Sequence, residues 1–358
     1  MNVSPPPPPP TLRVSLAPEP HLADSAVASP VTLLRHHADG TSRLNHFLVT
    51  AVLGAGSYGT VYRATDEATG TEVAIKELSK ALLRRAHWAA RLARGGGLGM
   101  ATATATPRTL PMEIVDPTLD AALANEMAIL MQLHHPNVVR LHEAIDDAEH
   151  DAVFLVIDLC PNGPIFRLPS SNTVGPHAPP LALGTARRYF TDAVLGLEYL
   201  HHNRIAHQDI KPDNLLLTQD NRVKIADFGL SQLYNVRGDR RSSGNSSNGN
   251  HRLSGPTGGA PAFCPPEKCT MALSPFAAAC TADIWSLGVV LFLMTHGRLP
   301  FHATSLLMLY RAIACDPPAI ADDDPDLAHL LARMLDKNPA TRISLSDIRQ
   351  HPWLTQRG

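Results

Sequence analysis

The sequence predicts an α+β protein of two lobes, a small β-rich lobe leading into a larger helical one. Phe47–Leu53, Thr60–Ala64 and Thr71–Leu78 are short apolar segments around a Gly-rich turn and read as strands of one sheet. After Asp158-Leu159-Cys160 the apolar residues take up helical spacing, with Ala186, Phe190, Ala193, Leu197 and Leu200 along one face. Ile284–Met294 is apolar almost all round, which predicts a helix buried at the centre of the larger lobe.

The elements follow in order. Residues 1–43 hold six consecutive prolines, Pro5–Pro10, and little apolar periodicity. Such a run favours polyproline II and cannot bury a core, so a disordered tail is expected, with docking of a proline-binding module as the sharper reading. Ordered chain is expected from Leu44. Between the third strand and the next helix lies an insert, residues 84–120, with Arg84, Arg85, Arg91, Arg94, Gly95–Gly97 and an Ala/Thr run. Leu123, Met127, Leu130 and Met131 recur at helical spacing beside Glu126. A second insertion, residues 236–256, is rich in Ser, Asn, Gly and Arg, and both inserts read as exposed loops.

Composition bounds the function classes. At 358 residues the chain can hold one large domain or two lobes with an ample core. With 31 basic against 33 acidic residues and a net charge of −2, nothing global points to a nucleic-acid partner. Five cysteines are too few for a disulfide scaffold, and Cys264-x4-Cys269 lacks the paired cluster of a metal site. The longest apolar stretch lies inside Leu287–Met294, far short of the ~20 residues that span a bilayer, so no membrane association is expected. No apolar signal core opens the chain, and Asn2 stands where myristoylation requires Gly. The expected location is cytoplasmic, with the nucleus as an alternative. A plastid or mitochondrial transit peptide is a further reading of the acid-poor start.

Seven short motifs then follow one another: Gly54-Ala55-Gly56-Ser57-Tyr58-Gly59; Val73-Ala74-Ile75-Lys76; Glu126; His207-Gln208-Asp209 running to Asn214; Asp227-Phe228-Gly229; Pro265-Pro266-Glu267; and Asp283-Ile284-Trp285. A lone Gly-rich loop is weak, because it also opens nucleotide sites on unrelated folds. In series the seven resemble the serine/threonine protein kinases over residues 44–354, with an extended activation loop at 227–267 and a short tail at 355–358.

The resemblance implies a bilobal kinase fold that uses ATP and Mg²⁺. Phosphoryl transfer needs charge and alignment more than covalent help. Gly54, Gly56 and Gly59 would let backbone amides approach the phosphates. Lys76 would hold the α/β-phosphates and pair with Glu126. Asn214 and Asp227 offer hard oxygen ligands suited to Mg²⁺. Asp209 would take the proton of the acceptor hydroxyl, and Lys211 would neutralise the transferring group. Leu53, Val61, Ala74 and Leu216 would enclose the adenine, Ile157 would stand as gatekeeper, and Asp158 and Cys160 would make the hinge contacts. Asp283 and Arg342 are expected to brace the large lobe, since the matching kinase residues hold the catalytic loop and pair with the Glu of the Pro-Glu motif, here Glu267.

A narrower resemblance runs through Arg43–Phe47, Leu133–Leu141 continuing to Asp147, Asn162-Gly163-Pro164, Ile210–Leu216, Met334–Pro339 and His351–Leu354. These are similar to the calcium/calmodulin-dependent protein kinase kinases and to the plant and algal kinases that activate the AMP-activated (sucrose-non-fermenting-related) kinases. That group carries an Arg/Pro/Gly-rich insert where 84–120 lies, and it implies a protein substrate that is itself a kinase, phosphorylated on its activation-loop Thr. Four residues follow Leu354, so no calmodulin-binding helix is expected in them.

Three departures are visible. Gln208 replaces the Arg that receives an activation-loop phosphate, which argues for low dependence on such phosphorylation, with Thr257 the regulatory candidate and Ser254 second. Ala260 falls where the family has a Thr, and Pro265 where it has Ala. Together they favour an alternative reading, a pseudokinase scaffold with weak or no transfer.

Overall fold

The computed structural model describes residues 35–36, 42–56, 59–80, 127, 130–131, 133–147, 152–166, 179–227, 232–233, 261–269, 276–320 and 324–355. Residues 1–34, the inserts 84–120 and 236–256, and Glu126, Ser254, Thr257 and Ala260 lie outside the described residues.

Among the described residues the small lobe is a seven-stranded antiparallel sheet. Its strands are β1 (Arg35–His36), β2 (Ser42–Leu44), β3 (Phe47–Gly56), β4 (Gly59–Asp66), β5 (Glu72–Ser79), β6 (Leu141–Asp147) and β7 (Ala152–Asp158), in the order β1-β2-β3-β4-β5-β7-β6. β1 and most of β2 precede Leu44, because Ser42 and Arg43 pair with Val49 and Leu48 at the sheet edge. Alternation turns Val73 and Ile75 inward with Leu44, Phe47, Ala64, Ile145, Phe154 and Val156, and these make the lobe's own core. β3 slips register twice against β4, between Val49 and Ala51 and between Val52 and Gly54. Each extra residue is a bulge that bends the strand, and the second leaves Val52 and Leu53 exposed beside the Gly-rich turn.

The large lobe begins past the hinge. β8 (Gly163–Pro164) joins β10 (Leu215–Leu217) and β11 (Val223–Ile225), and β9 (Ile205–Ala206) pairs with β12 (Gln232–Leu233). α1 (Leu183–His202) buries Ala186, Phe190, Ala193, Leu197 and Leu200, the stripe expected from its spacing. It stops at Asn203, after which Arg204 takes a left-handed φ of 62°. Next come α2 (Pro266–Cys269), α3 (Phe276–His296), α4 (Leu306–Cys315), α5 (Pro325–Met334), α6 (Leu345–Gln350) and α7 (Pro352–Thr355). Ser305, Asp324 and Ser344 cap α4, α5 and α6 by accepting backbone N–H bonds, which satisfies donors the helices leave open.

α3 is longer than the apolar run that predicts it, and every residue from Ala282 to Met294 is buried. It is long and apolar enough to cross a membrane, yet 72% of its most apolar window is buried inside the fold. It is the axis of the larger core, packed by Leu197, Leu330, Leu331, Met334 and Phe301.

The lobes are stitched through residues 137–140. Val138 bridges Ile225 in parallel, Val139 N donates to Ile225 O at 2.9 Å, and Ile225 N donates to Asn137 O at 2.9 Å. Asn137 adds a side-chain bond to Val223 O at 2.9 Å. The segment entering the small lobe thus acts as an extra edge strand of the large one.

Candidate active site

The site is assembled around the loop between β9 and β10. His207 is fully buried; its Nε2 bonds Ala226 O at 3.0 Å and its Nδ1 accepts Asp209 N–H at 3.3 Å. Burial holds its pKa below the ordinary imidazole value. The ring is a neutral spacer between the loop and the end of β11. Gln208 takes a left-handed φ of 65°. A non-glycine residue holds that conformation only where neighbours impose it. Asp283, in the first half of α3, does so: Oδ1 accepts Gln208 N–H at 2.6 Å and Oδ2 accepts His207 N–H at 2.8 Å. Burial would raise the Asp283 carboxyl, but His201 at 2.9 Å and these bonds outweigh it and lower its pKa. The large-lobe brace expected of Asp283 is therefore a clamp on the loop backbone.

The loop delivers three side chains to one place. Asp209 Oδ2 accepts from Lys211 Nζ at 2.6 Å and from Asn214 Nδ2 at 3.0 Å. Asn214 Nδ2 also donates to Asp209 O at 2.8 Å, and Asn214 O accepts Ala226 N–H at 2.8 Å. Asp227 therefore leaves β11 beside Asn214. It has a left-handed φ of 63°, and its Oδ1 meets Lys76 Nζ at 2.6 Å. That ion pair closes the site across the lobes. Glu126, the expected partner of Lys76, lies outside the described residues.

The small lobe supplies the roof. Leu53, Gly54 and Gly56 are on β3, Gly59 and Val61 on β4, and Ala74 and Lys76 on β5, with Val61 opposite Lys76. Leu216 rises from β10 in the other lobe. Ile157 lies on β7 opposite Ala74. Cys160 O accepts Gly163 N–H at 3.1 Å in the turn after the hinge, and burial pushes its thiol up to about 11.

Two of the glycines differ in what requires them. A Cβ at Gly59 would stand 1.8 Å from Glu77 O, so β5 itself demands glycine there. At Gly54 a Cβ would meet nothing within 4 Å. Gly59→Ala is expected to destabilise the fold by more than ~1 kcal/mol, and Gly54→Ala to stay within ~0.5 kcal/mol, both read by urea unfolding. Equal losses would show that packing explains both positions.

The residues fit a nucleotide with a hard divalent cation. The space over Gly54 is open, and the bond from Ala226 N–H to Asn214 O at 2.8 Å sets Asp227 and Asn214, a carboxylate and an amide, on neighbouring backbone. Among the described residues no cluster of three or more His, Cys, Asp or Glu forms an all-protein metal cage. Mg²⁺ needs none, since it binds through one or two carboxylates plus phosphate oxygens.

Two more pairs shape the large lobe. Glu267 on α2 pairs with Arg342 at 2.7 and 2.9 Å, as the sequence led us to expect. His351 Nε2 bonds His329 Nδ1 at 2.8 Å, and burial together with His329 lowers its pKa. Because His207 and His351 resist protonation only when folded, the unfolded chain binds protons first as pH falls below ~6.5. Stability should be complete above that value and decline through pH 6 to 5. The lowered carboxyl of Asp283 adds a further loss below ~4 by the same sign. Thermal melts from pH 7.5 to 5.0 should show a falling midpoint; a rising one would contradict the burial of these rings.

Residues 108–354 match the protein kinase domain family. The chain belongs to the protein kinase family. The kinase is also similar to a calcium/calmodulin-dependent protein kinase kinase of Emericella nidulans, 31% identical over 92% of this chain and 61% of the relative. It is 36% identical to the serine/threonine-protein kinase ssp1 of Schizosaccharomyces pombe over 88% of this chain and 43% of that one. A calcium/calmodulin-dependent protein kinase kinase of Caenorhabditis elegans is 33% identical over 88% and 54%. The chain thus spans about half the length of the curated relatives it matches. These relatives agree with the narrower resemblance carried by the motifs, and the kinase is bilobal as the sequence predicted.

Motif reading missed residues that act through others. His201 fixes Asp283, and Lys268 Nζ reaches Gln208 O at 3.5 Å. Neither stands in a motif, and only the tertiary fold brings each to its partner.

Proposed function

We propose that this chain is an active serine/threonine kinase domain, residues 44–354, that transfers the γ-phosphoryl group of ATP to a protein hydroxyl. The observation that carries the reading is the convergence of Asp209, Lys211, Asn214, Asp227 and Lys76 through bonds of 2.6–3.0 Å. Bound Mg²⁺ would neutralise charge on the phosphates. Asn214 and Asp227 would hold it, and Lys76 would turn from Asp227 toward the α/β-phosphates. Asp209, with Oδ2 fixed by Lys211 and Asn214, is oriented to accept the acceptor hydroxyl's proton on Oδ1. Lys211 stays beside that carboxylate, placed to meet the charge of the moving phosphoryl group. Leu53, Val61, Ala74 and Leu216 would enclose the adenine, with Asp158 and Cys160 making the hinge contacts.

The substrate we propose is another kinase, on the activation-loop Thr of the AMP-activated or sucrose-non-fermenting-related type. The names of the relatives from Emericella nidulans and Caenorhabditis elegans support this, as does the Arg/Gly-bearing insert at 84–120. We assign the protein to the cytoplasm and offer Thr257 as the regulatory candidate.

Labelled phosphate from Mg-ATP, offered to an inactive AMP-activated-type kinase domain, tests the reading. Labelling should depend on that domain's activation-loop Thr. Labelling of a generic basic protein alone would remove the substrate assignment. No labelling of any protein, itself included, would establish the pseudokinase alternative that Gln208 and Pro265 favour.

A further inference from the structure

The hinge carries a set of side-chain contacts that the mechanism above does not use. Asp158, the last residue of β7, points its carboxylate at three donors: His142 Nε2 on β6 reaches Oδ1 at 2.8 Å, and Lys224 Nζ on β11 and Arg140 N reach Oδ2 at 2.8 and 3.1 Å. Lys224 Nζ also lies 3.4 Å from Val138 O, and Asp158 N donates to Arg140 O at 3.1 Å. The Lys224 and Asp158 side chains are only 18% and 21% exposed, unlike the solvated pairs that contribute almost nothing. Burial alone would raise the Asp158 carboxyl, but the bonds from His142, Lys224 and Arg140 hold it well below the usual carboxylate range.

What makes these contacts consequential is where β11 leads. Val223 and Ile225 are fully buried and alternate with Lys224, so the strand is gripped on one face while Lys224 reaches for the hinge. β10 flanks it on one side and Val138 on the other. Ala226 is then fixed by Asn214 O and by His207, and the next residue is Asp227. Only Ile225 and Ala226, both with supported backbone, separate the hinge contact from the proposed metal ligand.

We infer that Lys224 and Asp158, steadied by His142, are positioning residues that set Asp227 relative to the hinge. They tie the adenine end of the site to its metal end. This rests on the reading of the chain as a nucleotide-using kinase domain. A break in the latch should loosen Asp227, and so weaken nucleotide binding where the cation contributes and spare it where the cation is absent.

The test measures affinity for a fluorescent ATP analogue with Mg²⁺ and with EDTA, alongside amide exchange of the ligand-free protein. For Lys224→Met and for Asp158→Asn, affinity with Mg²⁺ should fall about tenfold, the effect of one ordinary coupling free energy. For Lys224→Met, affinity in EDTA should change less than about twofold, and in both variants the Ile225 and Ala226 amides should exchange faster. The double variant should be no worse than either single one, because both break the same contact. Arg222→Gln is the control, since it breaks the bonds to Asp192 at the start of the same strand without touching the hinge. Unchanged Mg²⁺ affinity, additive losses, or the same loss in Arg222→Gln would each overturn the latch. A parent protein that binds Mg-nucleotide with this dependence but transfers no phosphate would end the transferase reading and leave the latch standing. One that binds no nucleotide would overturn both.

Discussion

Replacing Asp209 by Asn should lower phosphoryl transfer by roughly 10²–10⁴-fold, the contribution of a positioned general base. The substitution is nearly isosteric. An Asn oxygen can still accept from Lys211 and Asn214 where Asp209 Oδ2 now does, at 2.6 and 3.0 Å, so the loop should keep its shape. What disappears is the capacity to take a proton at neutral pH. Nucleotide affinity should therefore change little, because the carboxylate acts on the acceptor and not on ATP. Single-turnover transfer and analogue binding, measured on the same preparation, separate the two effects. A variant that keeps most of its turnover would remove Asp209 from the mechanism. Parallel loss of binding and transfer would mean that its role is to hold the loop.

The largest effect on stability is expected at Arg342. Its guanidinium donates to both oxygens of Glu267, to Thr281 O at 2.7 Å and to Asp336 O at 3.0 Å, and it stacks 5.2 Å from the Trp285 ring centre. The Arg342 side chain is fully buried and that of Glu267 is 11% exposed. Arg342→Ala would strand the Glu267 carboxylate in the protein interior. Removing one partner of a buried pair costs about 3–5 kcal/mol, a large share of the ~5–15 kcal/mol that holds a domain together. Arg342→Lys should recover little, because a single ammonium cannot match two carboxylate oxygens and two carbonyls at once. Guanidinium chloride unfolding measures it; a loss below ~1 kcal/mol would show that the pair is solvated in solution.

The parts of this site that could be read from sequence are those whose chemistry fixes local spacing. Asp209, Lys211 and Asn214 lie within six residues, and one turn of chain brings them together. The α1 stripe and the apolar run in α3 were legible for a similar reason, since burial imposes a period. β3 was read as ending at Leu53 but runs to Gly56, because glycines 54 and 56 pair through backbone with Val61 and Gly59 whatever their side chains lack. The contacts of Lys224 and His142 with Asp158 had no such trace. Their sequence separations are 66 and 16, and a lysine on a short strand looks like any solvated charge until the fold places it.

The clamp of Asp283 on Gln208 and His207 also orders events in time. His207 and Gln208 leave the ribosome 76 and 75 residues ahead of the carboxylate that holds their backbone. Until α3 has been synthesised and has docked, the two bonds by which Asp283 holds the loop backbone cannot form. A message truncated between Asp227 and Asp283 would encode every residue named for phosphoryl transfer and lack the carboxylate that clamps the loop.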